Sequence, residues 1–390
     1  MDAPARIRRD VEELAGIPRG SATAGERRAA EWAASRLLAA GASEVELQTF
    51  RYQHSWAARH VPQFVAGALG GLRGGAAGGA LTLVAAASFE LDFGGRLQWL
   101  ARVAPAREGT NAIGRIPARG ERHGTLVLVA HLDAAQTGIA WRIVERNGRA
   151  RERGFPGWMP DRDVMASPGS TPKAAFALAA AGSIAGARPA RLAGATLLLG
   201  CAALALETAS NDAVPGASDN ATGVAGVLAL VERLAADPPA GVEVIALLPG
   251  CEESGMGGMR AWLDERGAGL DPGTTLVLGL DTLGAGEPAV VREEGPFRPE
   301  RYRRDDVERA DRGAERAGLG RPRRLRLGAW TDPILAVHAG LPTVSLVSVR
   351  ENAFTNYHLP TDTPDRVDWG SVDACVRLAA GVAEDFAEGR

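Results

Sequence analysis

Five side chains of metal-binding type are spread along this 390-residue chain: His131, Asp219, Glu253, Asp281 and His358. Each closes an apolar run that reads as a strand, or lies in the loop just beyond one. His131 follows the run 125–130 and Asp219 sits between Gly216 and Gly223. Glu253 comes shortly after 242–248, Asp281 ends 276–280, and His358 lies in the segment from Asn356 to Asp362. In open α/β sheets, ligands bind beyond the carboxyl ends of the strands. Strands that deliver imidazoles and carboxylates to that edge therefore converge on one site. A nitrogen and oxygen donor set without sulfur suits zinc, and also accepts cobalt or manganese. Two such ions held close together can activate a shared water and polarise a carbonyl.

Two neighbouring acids add to this chemistry. Glu252 precedes Glu253 and, on an extended backbone, points the other way, which makes it the candidate general base. Asp133, two residues after His131, is placed to accept the second imidazole N–H and fix the ring. Cys251 reads as a small buried hydrophobe, and His54, His60, His123 and His338 lack comparable company. Ser218 and Ser254 lack the Gly-x-Ser-x-Gly elbow of serine hydrolases.

At these residues the chain resembles the co-catalytic di-zinc peptidases of metallopeptidase family twenty-eight, which includes bacterial aminopeptidases. The resemblance covers the N-terminal helices, the strands from Asn111 onward and everything from about Pro215 to the C-terminus. It implies two Zn2+ per chain bridged by Asp219. His131 and Asp281 would complete one site, Glu253 and His358 the other. It also implies that Tyr357 hydrogen-bonds the tetrahedral intermediate, and it makes Asp362 a candidate to support His358. The implied substrate is a peptide losing its N-terminal residue. Two other functions stay open: a glutaminyl-cyclase-like single-zinc acyltransferase and a non-catalytic, membrane-associated relative.

The elements that must position these groups alternate along the chain. Helices read over 5–18 and 23–40, then a strand over 44–50, and strands from Asn111 to Pro117 and from Thr125 to Ala130. A helix is expected from Asn220 to Ala235, with Val224, Val227, Leu228, Val231 and Leu234 on its apolar face. Strand 242–248, helix 256–266, strand 274–280, helix 305–317, strand 341–348 and a helix over 371–386 follow. This alternation predicts an α/β fold with a mixed, mostly parallel central sheet covered by helices on both faces. It reads as one domain over 1–390, carrying hydrophobic insertions at about 60–100 and 138–212.

Those insertions break the rhythm. Residues 64–89 are apolar apart from Arg73, and 174–206 apart from Arg188 and Arg191. The polar run 142–173 reads as exposed loop. Two readings fit: helical hairpins packed on the domain or across a dimer, or short hairpins entering a membrane. The runs 174–187 and 192–206 each fall short of the ~20 residues of a spanning helix, which favours a dipping hairpin in the second reading.

Bulk properties narrow the field. A formal charge of -3 and a pI near 6.1 give no basic face for nucleic acid. Three widely spaced cysteines form neither a disulfide framework nor a zinc cluster. The N-terminal residues run directly into a charged helix without the apolar core of a secretory signal. The expectation is a cytoplasmic enzyme, with contact to the inner face of the membrane if the insertions are membrane hairpins.

Overall fold

The computed structural model describes residues 3–95, 97–152, 170–295, 299–351 and 353–389, with backbone alone over 147–152. The chain opens with helices α1 (Ala3–Ala15) and α2 (Ala24–Ala39), strand β1 (Glu44–Tyr52), and helices α3 (Trp56–Arg73) and α4 (Gly75–Phe93). Strands β2 (Arg107–Ile116) and β3 (Arg119–Val129) lead to α5 (Ile139–Glu152), α6 (Ser170–Ile184) and α7 (Arg188–Ala209). Then come α8 (Thr222–Ala236), β4 (Ala240–Leu248), α9 (Gly257–Arg266), β5 (Thr275–Leu280), β6 (Glu287–Glu294) and β7 (Glu300–Arg301). The chain finishes with α10 (Arg304–Arg316), β8 (Arg323–Leu327), α11 (Pro333–His338), β9 (Thr343–Val349) and α12 (Trp369–Ala387).

The strands make one nine-stranded mixed sheet in the order β1-β2-β4-β3-β5-β9-β6-β7, with β8 paired to β6. Its centre is parallel: β4 with β3, β3 with β5, and β5 with β9. The flanks β1, β2 and β6 join antiparallel to their inner neighbours. Strand β5 and residues 124–129 of β3 are buried throughout, as strands covered on both faces must be. Helices α1, α2, α8 and α12 contribute to the main core with residues such as Leu14, Leu37, Val227 and Leu378. Local signals fix the helix starts. Thr23 accepts from Gly25 N and Glu26 N ahead of α2, and Asp368 accepts from Ser371 N ahead of α12. The parallel strands β3, β4, β5 and β9 all end at the same edge, so the loops that follow them meet there.

Helices α3, α4, α6 and α7 form a second cluster with its own apolar centre, built from Phe64, Phe89, Phe176 and Leu198 among small residues. Glycine sets the spacing. A Cβ on Gly67 would collide with the Phe176 ring, and one on Gly194 with the Ala179 backbone. The insertions are therefore two helical hairpins. The run 142–173 departs from the loop reading: its first part lies within α5, and 153–169 falls outside the described residues. The acid- and arginine-rich strands β6, β7 and β8 were not anticipated. In β8, Leu325 and Leu327 are buried while the arginines alternate outward, enough to pair with β6.

Candidate metal centre

His131 follows β3 and is 3% exposed. Its Nε2 faces Asp219 Oδ1 at 3.2 Å, Asp281 Oδ1 at 3.8 Å and Glu252 Oε2 at 4.0 Å. Asp219 sits in a kinked turn just before α8, and its other oxygen, Oδ2, lies 3.2 Å from His358 Nε2. That same His358 nitrogen is 3.2 Å from Glu253 Oε2. The fold thus brings His131, Asp219, Glu253, Asp281 and His358 together, with Asp219 facing one histidine through each oxygen. The donor atoms of His131, Asp219 and Asp281 lie within 4.8 Å of one another, as do those of Asp219, Glu253 and His358.

Backbone positions around the site are fixed by residues far away in sequence. The Asp133 carboxylate accepts Glu252 N at 3.0 Å, Glu253 N at 3.1 Å and the Ser21 hydroxyl at 2.5 Å. The expected bond from His131 to that carboxylate is replaced by one to the Asp133 main-chain carbonyl, 3.0 Å from Nδ1. Asp133 Oδ1 is 3.6 Å away, because its lone pairs are spent on the Glu252–Glu253 loop. Asp362 likewise serves a different partner from the one anticipated. It accepts Ser218 N at 2.8 Å and Asp219 N at 3.0 Å, holding the Asp219 turn rather than His358.

Three supports carry no sequence signal of the metal-ligand kind. Arg19 is fully buried and donates to Leu132 O at 2.8 Å, Gly216 O at 2.6 Å and Pro215 O, tying the His131 and Asp219 loops together. Burial lowers its pKa to about 10 against the pull of Asp362 and Asp133, so it stays charged at neutral pH. Glu26 accepts Cys251 N at 2.8 Å, Thr110 N at 3.0 Å and Ala22 N at 3.0 Å, and burial pushes its carboxyl up to about 8. Asn220 donates to Leu280 O at 3.0 Å and accepts Thr282 N at 3.1 Å, joining the Asp219 turn to the Asp281 loop. Each binds backbone atoms, which a residue pattern does not display.

The insertions shape the surroundings. Trp141, from α5, packs edge-on against His358 with ring centres 4.2 Å apart, and Tyr357 stacks on the same histidine at 3.8 Å. Trp141 also meets Trp56 of α3, 6.1 Å away. On the opposite side, Tyr52 O–H and Gln98 N–H both donate to Gly255 O, at 2.7 and 2.8 Å, just past the glutamate pair. Arg59 Nη1 in turn donates to Tyr52 Oη at 3.3 Å, and its Nε pairs with Asp92 Oδ2 at 3.1 Å, so the base of the helical hairpins grips the glutamate loop.

The electrostatics call for cations. Burial disfavours charge on Asp219, yet the adjoining His131 and His358 imidazoles hold its carboxyl well below the usual range. Burial pushes Glu252 and Glu253 well above it, with neighbouring carboxylates adding to the shift. Asp332, before α11, is buried with neither carboxylate oxygen hydrogen-bonded, and its charge is felt at Glu252. Asp219 Oδ2, Glu253 Oε1 and His358 Nε2 are also buried without a hydrogen-bond partner. Donor spacings of 3.2 Å fit the edge of a tetrahedron with zinc bonds of about 2.0–2.1 Å. The residues present therefore fit zinc, supplied by nitrogen and oxygen alone.

Residues 203–383 match the model of Peptidase family M28. That span holds Asp219, Glu252, Glu253, Asp281, Tyr357 and His358, while His131 and Asp133 precede it. No curated protein matches the sequence. Among solved structures, the fold is similar to an aminopeptidase from Aneurinibacillus sp. strain AM-1, with 12% identity, a TM-score of 0.57, and coverage of 98% of this chain and 93% of that one. It is similar to a zinc aminopeptidase from Bacillus subtilis, with 13% identity, a TM-score of 0.55 and coverage of 97% and 94%. It is also similar to a glutaminyl cyclase from Fimbriiglobus ruber, with 15% identity, a TM-score of 0.55 and coverage of 98% and 95%. At these identities the likeness concerns the fold.

Proposed function

We propose that this chain, which matches the model of peptidase family M28 over residues 203–383, is a di-zinc aminopeptidase that releases N-terminal residues from peptides. The observation that carries the reading is the placement of Asp219, with one oxygen 3.2 Å from His131 and the other 3.2 Å from His358. A carboxylate in that position would hold two ions at once, one through each oxygen. His131 and Asp281 would complete one site, Glu253 and His358 the other. Zinc bound there supplies a Lewis acid for the scissile carbonyl and lowers the pKa of water.

The protein's own groups carry the rest. Asp133 fixes the Glu252 amide, so that the Glu252 carboxylate stands beside the ligand set as general base. It takes a proton from the attacking water and returns it to the departing amine. Tyr357, stacked on His358, offers its hydroxyl to the oxyanion; burial among Asp219 and Glu253 pushes that phenol well above its usual pKa and keeps it a donor. Carboxylates in and around the site (Asp219, Glu252, Glu253, Asp281, Asp133 and Asp332) outnumber what two dications neutralise. That excess favours a substrate end bearing a free ammonium over one bearing a carboxylate. Attachment to a membrane through the two apolar hairpins, with the catalytic domain on the cytoplasmic side, is part of the same proposal.

A glutaminyl-cyclase-like reaction is the second reading, favoured by the likeness to the Fimbriiglobus ruber enzyme. It would use one zinc and release ammonia. The test is an assay of zinc-loaded protein on aminoacyl anilides with free and with blocked amines, alongside an N-terminal glutaminyl peptide. The proposal expects cleavage of the free-amine substrates alone, abolished by chelator and restored by zinc. Ammonia release from the glutaminyl peptide without anilide cleavage would replace it with the second reading.

A further inference from the structure

Between its charged ends, the outward surface of the α3, α4, α6 and α7 cluster carries large apolar side chains on every one of the four helices. Leu69 on α3, Val84 on α4, Ile184 on α6, and Leu199 and Leu206 on α7 are exposed, Val84 to 67% and Ile184 to 62%. Helices α4 and α7 are long and apolar enough to cross a membrane, and only 33% of the residues in each apolar window are buried. A core helix of a water-soluble domain would be mostly buried. Inside the cluster, small residues set the contacts and polar groups are satisfied locally: Thr82 Oγ1 donates to Gly67 O and Gly78 O, both at 3.1 Å, and Ser183 Oγ to Ala179 O at 2.6 Å. Close glycine packing with self-satisfied hydroxyls inside and leucines outside is the arrangement of helices in lipid.

Charge marks both ends of this apolar slab. No Asp, Glu, Lys or Arg occurs in 61–72, 74–89, 174–187 or 192–206. At the hairpin tips stand Arg73, Arg188 and Arg191; Arg73 and Arg188 are exposed, and Arg191 donates to Gly71 O at 2.6 Å. At the base lie Arg59, Glu90, Asp92, Lys173 and Glu207. The uncharged runs measure about 18–24 Å at ~1.5 Å per residue. That exceeds half of a hydrocarbon layer of ~30 Å, and arginine tips left at mid-membrane would be costly. Snorkelling of the tips and local thinning let them reach the far head groups. Both hairpins leave and re-enter the catalytic domain, so the crossings are even in number. The catalytic side is the more basic in the described segments flanking the helices, with Arg51, Arg59, Arg102, Arg107 and Lys173 against three tip arginines, which orients it toward the cytoplasm.

We propose that α3, α4, α6 and α7 cross a lipid bilayer as two complete hairpins, with the Arg73, Arg188 and Arg191 tips on the face opposite the catalytic domain. This goes beyond attachment. It also sets the metal centre at the membrane surface, since Trp141 touches both His358 and Trp56 at the base of α3. The test is side-specific labelling of full-length protein in sealed vesicles of known orientation, and it does not depend on catalysis. A membrane-impermeant maleimide is applied to Ala187→Cys and, separately, to Asp237→Cys on the catalytic domain, both in a Cys201→Ala background. Opposite-face labelling is expected, Asp237→Cys from the cytoplasmic side. Labelling of both positions from one face would overturn the crossing. Fractionation of the unmodified protein covers the case of a misfolded variant: release into detergent-free buffer as a monodisperse monomer or dimer would replace the bilayer with a packed or self-associating bundle.

Discussion

Asp133 shows how much one residue near a metal ligand can organise. Its main-chain carbonyl holds His131 Nδ1, and its carboxylate pins the amides of Glu252 and Glu253 some 120 residues later. Asp133→Asn presents a donor where an acceptor is needed for one of those amides. Zinc affinity is expected to fall by about 10–100-fold, as for other groups that orient metal ligands; chelator competition measures it, and an unchanged affinity would remove this role. Glu252→Gln separates the base from the ligands: turnover should drop by several orders of magnitude while zinc content stays at the wild-type level. Loss of the metal in that variant would make Glu252 a ligand instead. Tyr357→Phe should lower kcat with little change in KM, since a donor to the oxyanion is worth about 2.7–4 kcal/mol in the transition state alone. At this scale the convergence of His131, Asp219, Glu253, Asp281 and His358 was legible, because several of them end or follow apolar parallel strands that share one edge. Arg19, Glu26 and Asn220 were not, because they bind backbone atoms of loops that only the fold brings close.

At the scale of elements, the parallel strands β4, β3, β5 and β9 deliver the site, and their fully apolar runs made them readable from sequence. The edge was harder. Strand β6 carries glutamate and arginine around a short buried run, and β8 alternates arginine with two buried leucines, so their short, charged pattern resembles exposed loop until the pairing is known. The same edge holds a titratable link. Glu294 accepts Tyr302 O–H at 2.9 Å and Thr331 O–H at 3.0 Å, and burial pushes its carboxyl up to about 8 from 4.5. The folded state therefore holds a proton there that the unfolded chain releases above pH 4.5. Stability from this group is present below that pH and is lost as pH rises toward 8, by at most about 1.4 kcal/mol per pH unit. Glu294→Gln should flatten that slope in thermal unfolding followed from pH 5 to 8; an unchanged slope would show that Glu294 is ionised in the fold. The hairpin base offers a second test. Tyr52→Phe removes a bond to Gly255 O and should destabilise by about 1 kcal/mol, with a loss of turnover that Gly255 outside the glutamate loop would not produce.

The whole molecule joins a nine-stranded mixed sheet to a helical cluster that exposes leucine, valine and isoleucine side chains on its exterior. Sequence alone located both apolar stretches and the arginines that interrupt them. It could not show that the runs continue as helices into charged ends, nor that the two hairpins, separated by β2, β3 and α5, pack on each other through Gly67 and Gly71. Trp141 packs against both His358 and Trp56 of α3, which makes the insertions part of the site's wall. The central claim is that two ions share Asp219. Hydrolysis of a free-amine aminoacyl anilide, measured against zinc bound per chain as metal-stripped protein is reloaded, tests it most directly. Activity is predicted to rise until two ions per chain are bound and to be absent at any loading in Asp219→Ala. Full activity at one ion per chain, or activity retained in Asp219→Ala, would contradict the account.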